Sequence, residues 1–153
     1  MTYYSDLSPY VYSKVETSTV NVGWLDSSHP FPTGKVTDEF LARLWLYCAK
    51  PVHPAKGFHE CPFCVPPLVP IEATRGKETL LLGAAEIRVL GSNKKYAAPN
   101  LVYHYIVEHE YLPPEEFIQA VMEGPQPGTS EFEEYLPTLA RFNPEKRKAM
   151  LKD

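Results

Sequence analysis

The sequence predicts a single α+β domain that is rich in loops, and three observations carry this prediction. The chain has 153 residues, which is an ordinary length for one domain. Sixteen residues are proline, about twice the usual share, so long uninterrupted helices are not expected. Short apolar patterns with helical or strand-like period occur along the chain. We therefore expect a central β-hairpin packed on several short helices.

The first helix is predicted from its N-cap and its apolar spacing. Thr37 provides an N-cap residue, and two acidic residues follow it in the first helical turn. The apolar residues within Phe40–Cys48 recur at helical intervals. Pro51 cannot continue the helix. We expect this helix to cover residues 37–49.

Strands are predicted in two parts of the chain. The segments Val11–Tyr12 and Thr19–Leu25 are rich in β-branched and aromatic residues, as short strands usually are. Further along, the segment Glu78–Leu90 ends in alternating apolar residues, which indicates a strand. The turn Gly91–Lys95 leads from it to a short return strand at Tyr96–Ala98. These three segments predict the central β-hairpin.

Prolines mark the remaining segments. Residues 51–76 contain six of them, so we expect a loop there without a regular element of useful length. Proline is favoured at the first position of a helix. We therefore expect one helix from Pro99 to about Glu108 and another from Pro113 to about Glu123. A last short helix is expected over 131–136.

The predicted domain organisation follows from charge near the C-terminus. Residues 1–136 are expected to form the folded domain. Residues 137–153 are expected to form a charged tail or a peripheral helix.

Composition and sequence patterns exclude several classes of protein. No apolar stretch approaches the ~20 residues that span a membrane as a helix. The net charge of −4 argues against broad nucleic-acid binding, which usually needs a basic face. The first residues form neither a basic segment nor an apolar stretch, so we expect no secretory signal and a cytoplasmic protein. The sequence also contains no glycine-rich phosphate-binding motif and no nucleophile-elbow motif.

The motif Cys61-Pro62-Phe63-Cys64 is the strongest chemical signal in the chain. Two thiols separated by two residues can bind one Zn²⁺, because the turn between them brings both sulfur atoms to the same side. Such a pair could also be a redox motif or two core cysteines. A redox pair normally begins a helix in a βαβ unit, which the prolines at 66 and 67 disfavour. In a cytoplasmic protein a reduced metal clamp is also more expected than a disulfide.

Two histidines can complete a Cys₂His₂ set. His104 and His109 have four residues between them, which is within the spacing of such sites. They lie on the helix that is predicted to follow the hairpin, so the order is that of a zinc-finger ββα unit. The 39 residues between Cys64 and His104 exclude an ordinary DNA-reading finger, which has about a dozen. The predicted zinc ligands are Cys61, Cys64, His104 and His109.

Helix geometry leaves the identity of the fourth ligand open. Residues five apart on an ideal helix lie ~140° apart around its axis, so the two imidazoles converge only if the helix tightens or ends near Glu108. His109 could instead be a hydrogen-bonded core histidine. His59 would then be the leading substitute ligand, and His53 a weaker one. Cys48 lies on the apolar stripe of the first helix and is predicted to be a core cysteine.

The number of protein ligands decides what the zinc can do. Four protein ligands leave no position for water or substrate, so the zinc would be structural and would hold the proline-rich loop against the helix. Three protein ligands would allow an activated water molecule, with Glu60, Glu108 or Glu110 as general base. We favour the closed structural site and expect no catalytic residue.

Two other groups of residues have a functional and a simpler interpretation. Asp26 and His29 lie in a loop rich in Pro and Gly, where they could act as acid and base, but a surface turn explains them equally simply. Several tyrosines could stack on nucleic-acid bases, but they fit core and interface positions better. These are Tyr96, Tyr103, Tyr105 and Tyr111.

The uneven distribution of charge suggests a partner. Residues 101–136 contain eight Glu and neither Lys nor Arg, whereas residues 137–153 contain five basic residues and two acidic ones. A run of like charges is usually a solvated face, but it can also be a docking surface for a basic partner. We predict a non-enzymatic binding protein of the adaptor or immunity type, with a protein partner bound through the acidic region 108–134.

Two alternative functions remain open. One is a metal-dependent hydrolase with an open zinc position, using His59 or the Asp26–His29 pair. The weaker one is nucleic-acid binding around the hairpin, because residues 51–100 carry a net charge of +2. The basic residues concerned are Arg75, Lys77, Arg88, Lys94 and Lys95.

Several motifs of the chain together resemble a family of small, functionally uncharacterised bacterial proteins. The motifs are Gly23-Trp24-Leu25-Asp26 with His29-Pro30 and Thr33-Gly34, Gly57-Phe58-His59-Glu60-Cys61-Pro62-Phe63-Cys64, and Tyr96-Ala97-Ala98-Pro99 with His104-Tyr105, His109, Tyr111 and Pro113-Pro114. The resemblance extends over roughly residues 20–122 and brings no assigned activity. It implies that the Cys/His residues and the Trp24–Gly34 loop form one compact unit and that both ends of the chain are peripheral.

Overall fold

A four-stranded sheet and a separate hairpin form the β-structure of the protein. The structure is a computed structural model that describes residues 2–10, 16–55 and 57–151. The strands are β1 (Thr19–Asn21), β2 (His53–Pro54), β3 (Ile71–Arg75), β4 (Glu78–Leu82), β5 (Ala85–Leu90) and β6 (Lys95–Pro99). The larger sheet has the order β1-β6-β5-β2, with β1 parallel to β6 and the other pairs antiparallel. The predicted central hairpin is therefore confirmed as β5–β6.

The helices lie where the sequence predicts them, within a few residues. They are α1 (Asp38–Ala49), α2 (Val102–His109), α3 (Glu115–Glu123), α4 (Ser130–Tyr135) and α5 (Pro144–Met150), with a 3₁₀ turn at Leu136–Thr138. Thr37 is the N-cap of α1, and its hydroxyl accepts a hydrogen bond of 3.1 Å from the amide of Phe40. Helices α1 and α3 pack on each other and on β5, which encloses the core.

A second hairpin, β3–β4, was not expected from the sequence. The prediction that residues 51–76 lack a regular element is wrong at its end, where β3 begins, and the segment 78–90 is two strands instead of one. Gly83 separates them with a φ of +102°, and a Cβ there would lie 2.8 Å from the carbonyl oxygen of His59. A larger residue at this position would meet both backbone strain and a clash, so the turn between the two strands requires glycine.

The predicted N-terminal strands have different outcomes. Of the segment 19–25, only Thr19–Asn21 forms a strand, and it pairs with β6. The Val11–Tyr12 segment lies outside the described residues.

The C-terminal segment packs on the body of the protein through α5, which contacts β2. Arg147 is buried in this contact, where its Nε donates a hydrogen bond of 3.0 Å to the carbonyl of Pro51 and its guanidinium pairs with Glu133. The domain boundary at residue 136 stays a prediction.

Arg88 forms the centre of a buried ion cluster. Its Nε and Nη2 donate hydrogen bonds of 3.1 and 3.0 Å to the carboxylate of Glu16, and its Nη1 donates one of 2.7 Å to Glu86. The guanidinium also lies 4.5 Å from the ring centroid of Tyr10. Arg88 is fully buried, so the expectation that it lies on a basic surface is wrong. The sequence does not reveal that Arg88 is buried, because its carboxylate partner Glu16 is 72 positions away in the chain.

His53 lies on β2 beside this cluster and is 6% exposed. Burial, and after it the positive charges of Arg88 and Arg141, lowers the pKa of its imidazole from 6.5 to about 4. Its Nε2 has no hydrogen-bond partner among the described residues. The folded protein therefore holds this imidazole neutral.

Replacing Arg88 by Met should lower the free energy of unfolding by about 3–5 kcal/mol, because the buried carboxylate of Glu16 would lose its partner. The matched change Arg75→Met should cost less than about 1 kcal/mol, because Arg75 pairs with an exposed Asp38. Urea unfolding of both variants measures the difference. Equal losses would contradict the assignment of Arg88 to a buried cluster.

The free energy of unfolding should fall by about 1–3 kcal/mol through His53 as the pH drops from 6.5 towards 4. In this window the unfolded chain binds a proton on His53 that the folded chain excludes, so the stability is complete above about pH 6.5 and is lost below it. His53→Phe should flatten this part of the profile. Unfolding curves of both proteins across the range give the difference, and parallel profiles would refute it.

Candidate metal centre

Helix α2 carries both predicted histidines and ends directly after the second one. Glu110 adopts a left-handed backbone with φ 57° and ψ 24°, and the amide of Tyr111 donates a hydrogen bond of 3.1 Å to the carbonyl of Tyr105. A left-handed residue directly after the last helical residue is a common way for a helix to end. The rings of His104 and His109 lie 5.2 Å apart at the end of the helix. The expectation that the helix ends near Glu108 if both histidines are ligands is thus met.

The two cysteines lie on a tight turn between β2 and β3. The amide of Cys64 donates a hydrogen bond of 3.4 Å to the carbonyl of Cys61, and the amide of Phe63 donates one of 3.4 Å to the Cys61 sulfur. Pro62 fixes the first φ of this turn. The turn places both sulfur atoms on the side that faces α2.

The four predicted ligand atoms converge. Nε2 of His109 lies 3.3 Å from Sγ of Cys61 and 3.5 Å from Sγ of Cys64. Nε2 of His104 lies 3.3 Å from Sγ of Cys64. One ligand atom of each residue lies within 4.8 Å of all the others. Tetrahedral zinc with bonds of ~2.3 Å to sulfur and ~2.0 Å to nitrogen would separate S and N by ~3.5 Å, so this group could hold a metal ion.

The alternative ligands lie elsewhere. Among the residues that the structure describes, only Cys61, Cys64, His104 and His109 make up the group, so neither His59 nor His53 belongs to it. Cys48 is buried on α1, and its thiol donates a hydrogen bond of 3.7 Å to the carbonyl of Asn100. Burial raises the pKa of that thiol to about 12, which agrees with a core cysteine.

The protonation states of the group suit a cation. Burial, and then the neighbouring His109, lowers the pKa of His104, which keeps its imidazole neutral and able to ligate. Burial raises the pKa of the Cys61 thiol to about 11 when no cation is present. A divalent ion reverses this effect because it stabilises the thiolate directly. The buried pocket therefore favours the ionised sulfur only together with a metal.

Aromatic side chains surround the ligands, and one of them, Phe63, is not a candidate in the sequence analysis. The Phe63 ring lies 5.4 Å from the ring of His109 and 5.8 Å from the ring of Tyr105. The sequence indicates this contact only through the position of Phe63 between the two cysteines. The Tyr105 hydroxyl is buried without a hydrogen-bond partner among the described residues. Burial raises the pKa of this hydroxyl, and the charges that Cys61 and Cys64 can carry raise it further.

The Asp26–His29 pair is formed, but it lies outside this group. Nδ1 of His29 is 2.7 Å from Oδ1 of Asp26, and the imidazole stacks on Tyr3 at 3.8 Å between ring centroids. The hydrogen bond from His29 lowers the pKa of Asp26. Both side chains are partly exposed, His29 at 48% and Asp26 at 31%. The structure therefore shows the surface turn, and among the described residues neither Asp26 nor His29 belongs to the Cys/His group.

Comparison with known proteins places the chain in a family without assigning an activity. In the described part of the chain, none of the helices combines the length and the apolar character needed to traverse a bilayer. No match is found among curated proteins or among solved structures. One family model, described as a domain of unknown function, matches residues 2–122, which include all four residues of the Cys/His group. The chain therefore belongs to the family of the domain of unknown function DUF7919.

Proposed function

We propose that the protein is a non-enzymatic cytoplasmic binding protein of the adaptor or immunity type, stabilised by one structural Zn²⁺. The observation that carries the proposal is the convergence of two sulfur and two nitrogen ligand atoms within 4.8 Å. Four protein ligands complete a tetrahedron and leave no position for a reacting water. The reduced thiols that such a site needs are maintained in the cytoplasm.

Zinc is the metal that best fits the donor set. Two thiolates and two imidazoles in tetrahedral arrangement are typical of structural zinc. Softer or redox-active metals either prefer more sulfur or favour other geometries. The spacing of sulfur and nitrogen atoms, 3.3 to 3.5 Å, agrees with the zinc bond lengths.

The role of the ion would be to hold the loop 55–70 against α2. Backbone hydrogen bonds attach this loop to the β4–β5 turn at its start, through Ala55 and His59. The cysteine turn and four prolines follow before β3 begins. A metal that binds only the folded arrangement supplies stability that such a segment cannot obtain from a β-ladder.

The hydrolase alternative has less support. Its candidate general bases, Glu60, Glu108 and Glu110, are all exposed, and none belongs to the group of ligand atoms. A reaction at the metal would require one of the four ligands to leave.

An acidic groove supports the proposal of a basic protein partner. The groove has a volume of about 770 Å³ and lies between the β5–β6 turn and helices α3 and α4. Three carboxylates line it, those of Glu116, Glu123 and Glu131. Glu116 already accepts hydrogen bonds of 3.0 Å from Lys94 and from Tyr96. The other two carboxylates are exposed, so they would give a basic side chain its electrostatic contacts.

The same contacts weaken the nucleic-acid alternative. Arg88 is fully buried, and Lys94 pairs with Glu116. Nζ of Lys95 lies 5.8 Å from the ring centroid of Tyr135. Of the basic residues that the alternative needs, these three already have partners within the protein, which disfavours a continuous phosphate-binding face.

Metal analysis of the purified protein should give one zinc per chain, and Cys64→Ser should abolish stoichiometric binding. Cys48→Ala, which changes a cysteine outside the group, should retain the zinc. Chelation should lower the Tm by about 10 °C or more, because a ligand present at ~1,000 times its Kd contributes ~4 kcal/mol. An unchanged Tm after complete removal of zinc would contradict a structural role.

X-ray absorption of the zinc-loaded protein separates the closed site from the open one. We expect a first shell of two sulfur and two nitrogen atoms, with distances near ~2.3 and ~2.0 Å. A wild-type first shell of two sulfur atoms, one imidazole and a water oxygen would support an open position and the hydrolase.

Charge reversal in the groove should weaken binding of a basic probe. A fluorescein-labelled arginine-rich peptide should bind the wild-type protein, with affinity that falls as salt is raised. The pair Glu123→Lys and Glu131→Lys should lower its affinity about tenfold or more. The matched control, Glu72→Lys and Glu78→Lys, alters net charge equally on the β3–β4 hairpin and should have little effect. Equal losses in both would show a net-charge effect and contradict a defined groove.

A further inference from the structure

The two thiols of the metal centre lie close enough together to form a bond with each other. Sγ of Cys61 and Sγ of Cys64 belong to the four ligand atoms that all lie within 4.8 Å of one another. A disulfide bond is about 2.0 Å long, so the sulfur atoms would have to approach by less than about 3 Å. Rotation about the Cα–Cβ bonds of the two side chains can supply this movement. The pair that can ligate a metal can therefore also be oxidised.

The two sulfur atoms differ in their surroundings. Cys61 is 2% exposed, whereas Cys64 is partly exposed. The amide of Phe63 donates a hydrogen bond of 3.4 Å to the Cys61 sulfur, and among the described residues no backbone amide donates one to the Cys64 sulfur. An N–H donor withdraws charge from a thiolate and makes it a weaker nucleophile. Cys64 is thus the sulfur that an oxidant in solution reaches more easily and that reacts more readily.

The third cysteine of the chain cannot compete for the oxidised sulfur. Cys48 is 3% exposed on α1, and its thiol donates a hydrogen bond to the carbonyl of Asn100. It does not belong to the group of ligand atoms. Oxidation at Cys64 therefore leaves Cys61 as the thiol within reach.

We propose that the Cys₂His₂ centre is a redox switch that hydrogen peroxide operates. This inference rests on the zinc site of the proposed function and names its regulation. The Cys64 thiolate attacks one oxygen of peroxide, the O–O bond breaks, and the departing hydroxide takes up a proton to become water. The Cys61 thiolate then attacks the sulfenic sulfur of Cys64, forms the disulfide and expels a second hydroxide, which is also protonated. Two thiolates, one peroxide and two protons thus give one disulfide, two water molecules and a free Zn²⁺.

The disulfide would detach the loop 55–70 from α2. After His59, the backbone–backbone hydrogen bond within the cysteine turn is the only one that the described residues of this loop make. Oxidation leaves the ion with two imidazoles, fewer than the three or four protein ligands with which proteins hold zinc. The ion leaves, and the loop loses its link to the helix. Residues 65–70, which are all exposed and uncharged, move with it.

Titration of the zinc-loaded protein with hydrogen peroxide tests the switch. One equivalent should release about one zinc per chain, measured with a chromogenic chelator, and should lower the mass of the chain by about 2 Da. Peptide mass mapping should find the disulfide between Cys61 and Cys64. Dithiothreitol with added zinc should restore the zinc content. Cys48→Ala is the matched control and should respond as the wild type does.

The thermal stability of the oxidised chain gives a second measurement. Its Tm should equal that of the chelated protein, because a disulfide that closes so short a loop adds little stability. A Tm equal to that of the zinc-loaded protein would show that the loop stays attached and would contradict the switch.

Limited alkylation of the zinc-loaded protein with iodoacetamide tests which sulfur reacts first. Cys64 should be modified about five times faster than Cys61 or more, because it is the more accessible sulfur. Peptide mass mapping over time gives both rates. Faster modification of Cys61 would refute Cys64 as the attacking thiolate.

The same titration separates failure of the switch from failure of the zinc site. A protein that holds no zinc before peroxide is added, even after reconstitution, would contradict the proposed function and the switch with it. Zinc that is bound at the start but retained in about a tenfold excess of peroxide would overturn the switch alone. Release of zinc with sulfinic acid in place of the disulfide would also overturn it, because that oxidation cannot be reversed by dithiothreitol.

Discussion

The contact between the cysteine turn and the end of α2 constrains the rest of the structure. The loop that carries Cys61 and Cys64 has little backbone pairing of its own, so its position depends on its side chains. Those side chains meet two imidazoles, and the Phe63 and Tyr105 rings close the space around them. Two thiolates held side by side would repel each other, whereas a divalent ion bound between them neutralises both charges. Sheet, helix and loop are thereby joined at one point.

Much of the metal centre could be predicted because its residues are local pairs. Cys61 with Cys64, and His104 with His109, each lie within one turn or one helix, so spacing alone restricts their geometry. The sequence also predicted α1 and the β5–β6 hairpin, where capping and alternation agree. It also predicted that α2 ends near Glu108, but it could not show how, because the left-handed residue after the helix is Glu110, a type with no preference for that conformation.

The features that the sequence could not reveal depend on distant contacts. Gly83 divides a segment that has the pattern of one strand, and the reason is its approach to the backbone of His59. Arg88 looks like a surface cation until Glu16 is placed beside it by the fold. In each case tertiary packing overrides what the neighbouring residues in the chain would suggest.

The β3–β4 hairpin lies between the two halves of the metal centre along the chain, since Cys64 precedes it and His104 follows it. The backbone from one ligand pair to the other therefore forms a ring that the ion would close. The tip of the hairpin, at Gly76, has open space where a Cβ would lie. Insertions or deletions at the tip would change the number of residues in this ring without moving the four ligands. The tip is accordingly a suitable place to insert a tag or a reporter.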